Sequence, residues 1–158
     1  MEQLRKLAWE GMLSADKCVR YYDALAGRFH TRDLYSKIFL ATMSSGTVAG
    51  WAIWSDVPSL WKVLSGISAF LAVALPILNI SKKVEVAGRL KSEFGDIQRD
   101  YEMLWASIDD DSPKQVQTEL RRIWQKEAKL APLESTMPGN DKTLIRECQR
   151  EVVHARNL

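Results

Sequence analysis

The side chains of this chain that could do chemistry are few and scattered. Residues 109–111 are three consecutive aspartates and could suggest a divalent-metal site. Consecutive residues point in different directions, however, and acids beside a helix N-terminus are already stabilised by its dipole, by ~0.3–1 kcal/mol. Cys18 and Cys148 lack the spacing of a redox or metal pair and are predicted to be buried apolar side chains. His30 and His154 are each isolated in sequence. We therefore predict no catalytic residue, metal site or cofactor.

Uncharged polar residues lie inside two stretches, 38–55 and 63–81, that contain no ionisable side chain. Two helices cannot enclose an aqueous path, but several copies of the chain could place these hydroxyl and amide groups around one. On this interpretation the residues that border a pore or kink a helix are Ser44, Thr47, Ser65, Ser68, Pro76 and Asn79.

The same stretches can also be interpreted as simple packing surfaces. Gly46 and Gly50 form a GxxxG pair, extended backward by Thr42, and such a face allows two helices to approach closely. We predict this face to be a helix-packing face. Whether the stretches pack the helices together or also border a path stays open on the sequence alone.

The elements that must position these residues follow from the length of the two stretches. Each is close to the ~20 residues that a helix needs to cross ~30 Å of hydrocarbon, so we predict a two-helix transmembrane hairpin over 38–81 with a turn at 56–59. The alternative is a soluble four-helix protein with two buried central helices, which the mean hydropathy of −0.21 would fit. Aromatic residues near the ends of the stretches favour the hairpin, because such rings are typical of a membrane interface; they are Tyr35, Trp51, Trp54 and Trp61.

The charge distribution predicts a topology and excludes one class of partner. Basic residues flank the two stretches and are nearly absent from the turn, so the positive-inside rule predicts a multi-pass protein of the bacterial inner membrane, in contact with the lipid bilayer, with both termini cytoplasmic. The whole chain contains 22 Lys and Arg and 20 Asp and Glu, which gives a net charge of +2. This balance leaves no large basic surface, so we expect no nucleic-acid partner.

Apolar residues recur at three- and four-residue steps on both sides of the predicted hairpin. They predict an all-α protein, with an N-terminal cytoplasmic amphipathic helix over 1–37 and a continuation helix over 82–111. We expect the two helices to pair antiparallel as a stalk or bundle with coiled-coil spacing, although the same residues could equally mediate self-association. The packing residues are Leu4, Leu7, Gly11, Ala15, Cys18, Tyr22, Leu25 and Phe29 in the first helix, and Val84, Ala87, Leu90, Phe94, Ile97, Tyr101, Leu104 and Ile108 in the second.

Residues 112–158 predict a C-terminal helical extension. Ser112 suits an N-cap and Pro113 the first helical position, so a helix over 114–130 follows and Pro132 ends it. A last helix is predicted at about 142–156. The residues expected to face inward are Val116, Leu120, Ile123, Trp124 and Leu130 in the first of these helices, and Leu144, Ile145, Cys148 and Val152 in the second.

The layout over roughly residues 4–108 resembles a known family. An amphipathic helix (AWEGMLSADKCVRYYDALAGRF), two apolar stretches with a tiny turn, and a following helix (VAGRLKSEFGDIQRDYEMLWASI) look like the SLATT proteins of bacteria. These are two-helix membrane effectors associated with nucleotide-signalling and other anti-phage systems. The resemblance implies a pore-forming or membrane-disrupting effector that stays inactive until a triggering protein, or a nucleotide second messenger acting through a sensor, signals infection. The extension beyond residue 112 departs from that layout.

The functional expectation is therefore a homo-oligomeric inner-membrane effector that forms a pore or disrupts the membrane on activation, in anti-phage defence by abortive infection. The alternative is a membrane-anchored scaffold, or a regulatory subunit, that binds a partner through its cytoplasmic helices. Hydrolase, phosphate-loop and zinc patterns are missing from the sequence, so we expect no enzyme activity.

Overall fold

The computed structural model describes the backbone of residues 1–53, 58–137 and 141–156, and the side chains of all of these except 44–53, 58–62, 65, 75 and 76. Every regular element in the described residues is a helix, which confirms the predicted all-α class. The helices are α1 (Glu2–Ile53), α2 (Pro58–Leu78), α3 (Ile80–Ser107), α4 (Pro113–Glu134) and α5 (Lys142–Ala155).

Contacts divide the chain into two compact units. Unit 1 combines Met1–Ala26 with Glu85–Leu158, and unit 2 is Gly27–Val84. Both α1 and α3 therefore contribute residues to both units. The C-terminal extension, which the sequence analysis treats as a separate segment, belongs to unit 1 together with the first half of α1.

The predicted membrane spans require a correction. None of the helices, over the residues that are described, is long and apolar enough to cross a membrane. The predicted localisation as a multi-pass inner-membrane protein with both termini cytoplasmic is therefore wrong. The prediction took 63–81 as one uninterrupted helical span, although Pro76 and Asn79 lie near its C-terminal end. Its helix also ends early, because α2 stops at Leu78 and Asn79 takes a φ of 46°. Of the predicted turn at 56–59, residues 56 and 57 lie outside the described residues, whereas 58 and 59 already belong to α2.

In unit 1, α1 and α3 pair antiparallel over their whole shared length, as their apolar residues predict. Near the N-terminus of α1, Arg5 forms an ion pair with Asp109, which follows the end of α3. In the next turns of α1, the ring of Trp9 lies 5.2 Å from the ring of Trp105. Further along, the ring of Tyr22 stacks on Phe94 at 5.6 Å and Lys91 bridges Asp23 at 2.7 Å. The contacts advance along α1 as they retreat along α3, which is the pattern of an antiparallel helix pair.

Gly11 is required where α1 crosses α3 most closely. A methyl group built on this residue would lie 2.6 Å from Cε1 and 2.7 Å from Oη of Tyr101, and still closer to Cζ. Tyr101 is only 1% exposed and cannot swing away. A residue without a side chain therefore allows the tyrosine ring to lie across the backbone of α1.

Helices α4 and α5 complete the core of unit 1. Most of the residues predicted to pack in this part of the chain are buried, and α1 adds Ala8 and Met12 to them. Leu4 and Cys18 are only partly buried and Leu7 is 40% exposed. The buried apolar residues of α3 to α5 and the α3–α4 turn are Ala87, Leu90, Phe94, Ile97, Tyr101, Leu104, Ile108, Val116, Leu120, Ile123, Leu130, Leu144, Cys148 and Val152.

The start of α4 is as predicted, but two further predictions for this helix are wrong. Ser112 is the N-cap and forms a reciprocal capping box with Gln115. Pro132 lies inside the helix rather than ending it, because the final turn is completed by the N–H of Ser135, which donates to the carbonyl of Ala131 at 3.0 Å. Trp124 is 42% exposed, because it lies to one side of the helix face that carries the buried Val116, Leu120 and Ile123.

Unit 2 consists of the second part of α1, α2 and the first residues of α3. Among the described residues of this unit, one large apolar side chain is buried, namely Phe29, which is 9% exposed. The side of α2 that carries Leu64, Ser68, Leu71 and Ala74 is partly buried. The described part of unit 2 is thus a thin helical layer rather than a bundle with a closed core.

Candidate functional site

The outer surface of unit 2 carries an unusual number of large apolar side chains in contact with solvent. Phe70 is 70% exposed, Ile77 is 73% exposed and Tyr35 is 69% exposed. We define the unit-2 apolar face as the exposed large apolar residues of this unit: Leu34, Tyr35 and Ile38 on α1, and Val63, Ile67, Phe70, Val73, Ile77 and Leu78 on α2. So many exposed large apolar side chains in one unit are typical of an interaction site.

The spacing of these residues shows which packing the face could support. On α2, Val63, Ile67, Phe70 and Ile77 are separated by four, three and seven residues. This is the heptad spacing by which a helix places one seam against another helix. Leu34 and Ile38 begin a similar series on α1. The face can therefore do what a coiled-coil seam does, which is to hold another apolar helix.

The opposite side of α2 is less exposed and contains one polar atom without a partner. The hydroxyl oxygen of Ser68 is buried and has no hydrogen-bond partner in the part of the chain that the structure describes. Leu64, Leu71 and Ala74 share this side. Ser68 was predicted to border a pore, but the structure places it on the inner side of unit 2.

A small polar cluster joins α1 to the beginning of α3 within unit 2. Lys37 donates to Asp33 at 2.5 Å and to the hydroxyl of Ser81 at 3.2 Å, and Ser81 donates to Asp33 at 3.0 Å. The hydrogen bond from Lys37 lowers the pKa of the Asp33 carboxyl, with Ser81 adding to the effect. These three groups bond to one another, so the cluster holds the two helices together.

In unit 1 a buried carboxylate links α1 to the end of α5. Asp16 is 5% exposed and accepts hydrogen bonds from Arg20 at 2.9 Å and from Arg156 at 3.4 Å. Arg156 also donates to Glu102 of α3 at 2.9 Å. Because a buried carboxylate needs partners to stay charged, these guanidinium groups stabilise Asp16 and fix α5 to two other helices.

Two tyrosine–glutamate pairs form a second polar region of unit 1. Tyr22 donates to Glu134 at 2.8 Å and Tyr101 donates to Glu127 at 3.2 Å. Burial is the main cause that raises the pKa of both phenols and of the Glu127 carboxyl. Nearby, burial raises the pKa of the Cys18 thiol to about 11, which keeps it protonated and unreactive at neutral pH.

Of the residues predicted to border a pore or kink a helix, the structure describes the side chains of Ser68 and Asn79. Asn79 is exposed between α2 and α3, and Ser68 lies on the inner side of α2. Pro76 is within α2, whose helix continues to Leu78. The side chains of Ser44, Thr47, Ser65 and Pro76 lie outside the described residues.

The predicted helix-packing face and interface aromatics are described only in part. Thr42 is exposed, and its hydroxyl donates to the carbonyl of Ile38 at 2.8 Å rather than to another helix. Tyr35 belongs to the unit-2 apolar face. The other residues of these two predictions lie outside the described side chains: Gly46, Gly50, Trp51, Trp54 and Trp61.

The acidic run that could suggest a metal site is engaged in structural contacts. Asp109 pairs with Arg5, and Asp111 accepts a hydrogen bond of 2.7 Å from Ser107. No group of His, Cys, Asp and Glu that could hold a metal ion occurs within the described ranges.

Sequence reasoning missed the Asp16 cluster. A weak signal was available, because Asp16 lies among apolar residues of the first helix and four residues before Arg20. Its partner Arg156 is 140 residues away, and no local pattern connects the two. The sequence predicted the apolar stretches of the unit-2 apolar face and Tyr35 as an interface aromatic, but it did not single out Leu34.

Comparisons with family models, curated proteins and solved structures give no match to this chain.

Proposed function

We propose that this protein is a self-associating helical scaffold or regulatory subunit, which assembles through the unit-2 apolar face and binds a partner through helices of unit 1. The single observation that carries the proposal is the exposure of nine large apolar side chains on unit 2. Covering such a surface with another apolar surface removes it from water and is favourable, so exposure on this scale supports an interaction site.

A second copy of the chain is the occupant that the face fits best. Its residues on α2 carry no charge that a charged partner would complement, and their heptad spacing makes the seam complementary to itself. Full burial of a large apolar side chain gains ~1.5–3 kcal/mol. These side chains are roughly half to three-quarters exposed, so covering six on each of two copies would gain on the order of 10 kcal/mol, similar to the ~4–15 kcal/mol that association costs.

The pore-forming activity expected from the SLATT resemblance stays a prediction. It depends on two membrane spans, and the described helices do not supply them. Self-association was part of the same expectation and is independent of the spans, because it needs only the exposed apolar residues.

The proposal is tested by the mass of the purified chain. Light scattering behind size exclusion should give the wild-type protein a mass that is a multiple of 18.0 kDa. The double variant Ile67→Ser/Phe70→Ser should move toward the single-chain mass, because it removes two central contacts of the seam. Met103→Ser is the matched control, since Met103 is 65% exposed but belongs to unit 1. A single-chain mass for the wild type at micromolar concentration would refute self-association.

A further inference from the structure

The outward side of α5 forms an open groove with a basic character. Five residues of this helix line it, over a volume of about 640 Å³. We define the α5 basic face as these residues: Arg146, Gln149, Arg150, Val153 and His154. They lie opposite the buried residues of the same helix, Leu144, Cys148 and Val152. The groove is therefore open to solvent along a helix whose other side is fixed in the core.

The two arginines of this face differ from the other arginines around the α5 helix. Arg20 and Arg156 are both held by the carboxylate of Asp16. Among the ion pairs of the described residues, none involves Arg146 or Arg150. They are separated by four residues and so lie one turn apart on the same side of the helix. Within the described residues these two guanidinium groups have no ion-pair partner, and both lie on the exposed side of α5.

The helix that carries these arginines is held at both ends. Asp141 caps its N-terminus by accepting from the N–H groups of Thr143 and Leu144 at 3.0 and 3.2 Å. At the other end, Arg156 bonds to Asp16 of α1 and Glu102 of α3. Because the backbone is fixed, only side-chain freedom is lost when a ligand binds.

We infer that the α5 basic face binds an acidic helical segment of a partner protein. Carboxylates one turn apart on that segment would each accept a bidentate pair of hydrogen bonds from Arg146 and Arg150. Val153, which is 42% exposed between the polar side chains, would contact an apolar residue of the same segment. The inference rests on the proposed scaffold function, for which it names the class of partner and the surface that receives it.

A protein segment fits this face better than a nucleic acid does. The chain has a net charge of only +2, and the face offers an apolar contact beside its two arginines. Binding to a phosphate backbone draws on many basic residues and needs no apolar contact. Two carboxylates one turn apart, followed one turn further by an apolar residue, match the two arginines and Val153 of this face.

The test uses the full chain and a synthetic helical peptide that carries pairs of glutamates four residues apart with leucines between them. Fluorescence anisotropy should show binding to the wild type. Arg146→Gln/Arg150→Gln should weaken it by at least ~10-fold, because both charged contacts are lost. Arg146→Lys/Arg150→Lys should restore binding only in part, since a lysine cannot form the bidentate pair.

The matched control is Arg121→Gln/Lys129→Gln, which removes the same charge from exposed residues of α4. This variant should bind the peptide as the wild type does. Equal weakening in both charge variants, tighter binding of a single-stranded oligonucleotide than of the peptide, or no peptide binding to the wild type would each overturn the inference. The titration is repeated on Ile67→Ser/Phe70→Ser to separate peptide binding from self-association. If this variant is monomeric and still binds the peptide, the α5 basic face acts independently of assembly.

Discussion

At the scale of single residues, unit 1 depends on a few side chains whose partners are far away in sequence. Tyr101 shows this most clearly, since its ring lies against Gly11 and its hydroxyl donates to Glu127. Tyr101 can be buried because position 11 has no side chain to occupy its space and because Glu127 accepts the hydrogen bond of its hydroxyl. Substitutions around it therefore have effects that helix propensity alone does not predict.

Gly11→Ala should destabilise the protein although alanine favours helices. The added methyl group overlaps the buried ring of Tyr101, and overpacking of this kind costs ~1–3 kcal/mol. The control is Gly88→Ala on α3, where a methyl group would meet nothing within 4 Å and the change should stabilise by ~0.5–1 kcal/mol. Urea unfolding followed by circular dichroism measures both changes. Stabilisation by Gly11→Ala would contradict the close approach of α1 and α3.

Glu127→Gln should raise stability at neutral pH. Burial raises the pKa of the Glu127 carboxyl in the folded state, so its ionised form destabilises the fold above that pKa. This penalty shrinks as the pH falls through the folded pKa and is gone below the ordinary value of 4.5. Glutamine keeps an oxygen that can accept from Tyr101 and carries no charge.

Melting temperatures of the two proteins from pH 8 to pH 4 check this prediction. The difference in favour of Glu127→Gln should be largest at the alkaline end and vanish near pH 4. Glu119→Gln, a substitution at a half-exposed carboxylate of the same helix, is the control and should show no such gain. A lower melting temperature for Glu127→Gln at pH 8 would mean that the ionised carboxylate stabilises the fold.

At the scale of the helices, the boundary between α2 and α3 is set by one residue. Asn79 takes a φ of 46°, in the left-handed region, and α3 restarts at Ile80 with the N–H of Lys83 donating to the carbonyl of Asn79 at 3.1 Å. Asparagine tolerates this conformation better than most residues because its short polar side chain can bond locally. The apolar run that the sequence presents as one span is interrupted here.

Asn79→Val should destabilise the protein by ~1–2 kcal/mol, since a β-branched residue is strained at positive φ. Asn79→Gly, which removes the strain, should leave stability unchanged or raise it slightly. Chemical denaturation of the two variants gives the comparison. If valine were tolerated as well as glycine, the left-handed turn would not be what separates α2 from α3.

The helices of unit 1 were largely predictable from sequence because their signals are local. Apolar residues at three- and four-residue steps indicated which side of α3 is buried, and Ser112 with Pro113 indicated where α4 begins. The end of α4 was not predictable from Pro132, since a proline in a last turn removes one hydrogen bond while the following carbonyls still find donors. Contacts such as Asp16 with Arg156 join residues that have no sequence relation.

At the scale of the whole molecule, the sequence predicted the uncharged, apolar composition of the candidate site but not its arrangement in space. The sequence showed that 63–81 lacks charge, but not which of its residues are exposed or that Leu34 and Tyr35 extend the same surface. Exposure depends on how α2 packs within unit 2, which no periodicity specifies. The inference of membrane spans failed for the same reason, because it assigned an environment to residues from their type alone.

The division into units also has a consequence for how the chain is made. Unit 1 is discontinuous, since Gly27–Val84 separates its first segment from the remainder. During synthesis Ala8, Met12 and Ala15, which are buried in the folded chain, leave the ribosome well before the remaining helices of unit 1. All of unit 2, with its apolar face, emerges in the interval. The nascent chain therefore exposes two apolar surfaces at once, and prompt assembly or a chaperone would be needed to keep them from associating with each other.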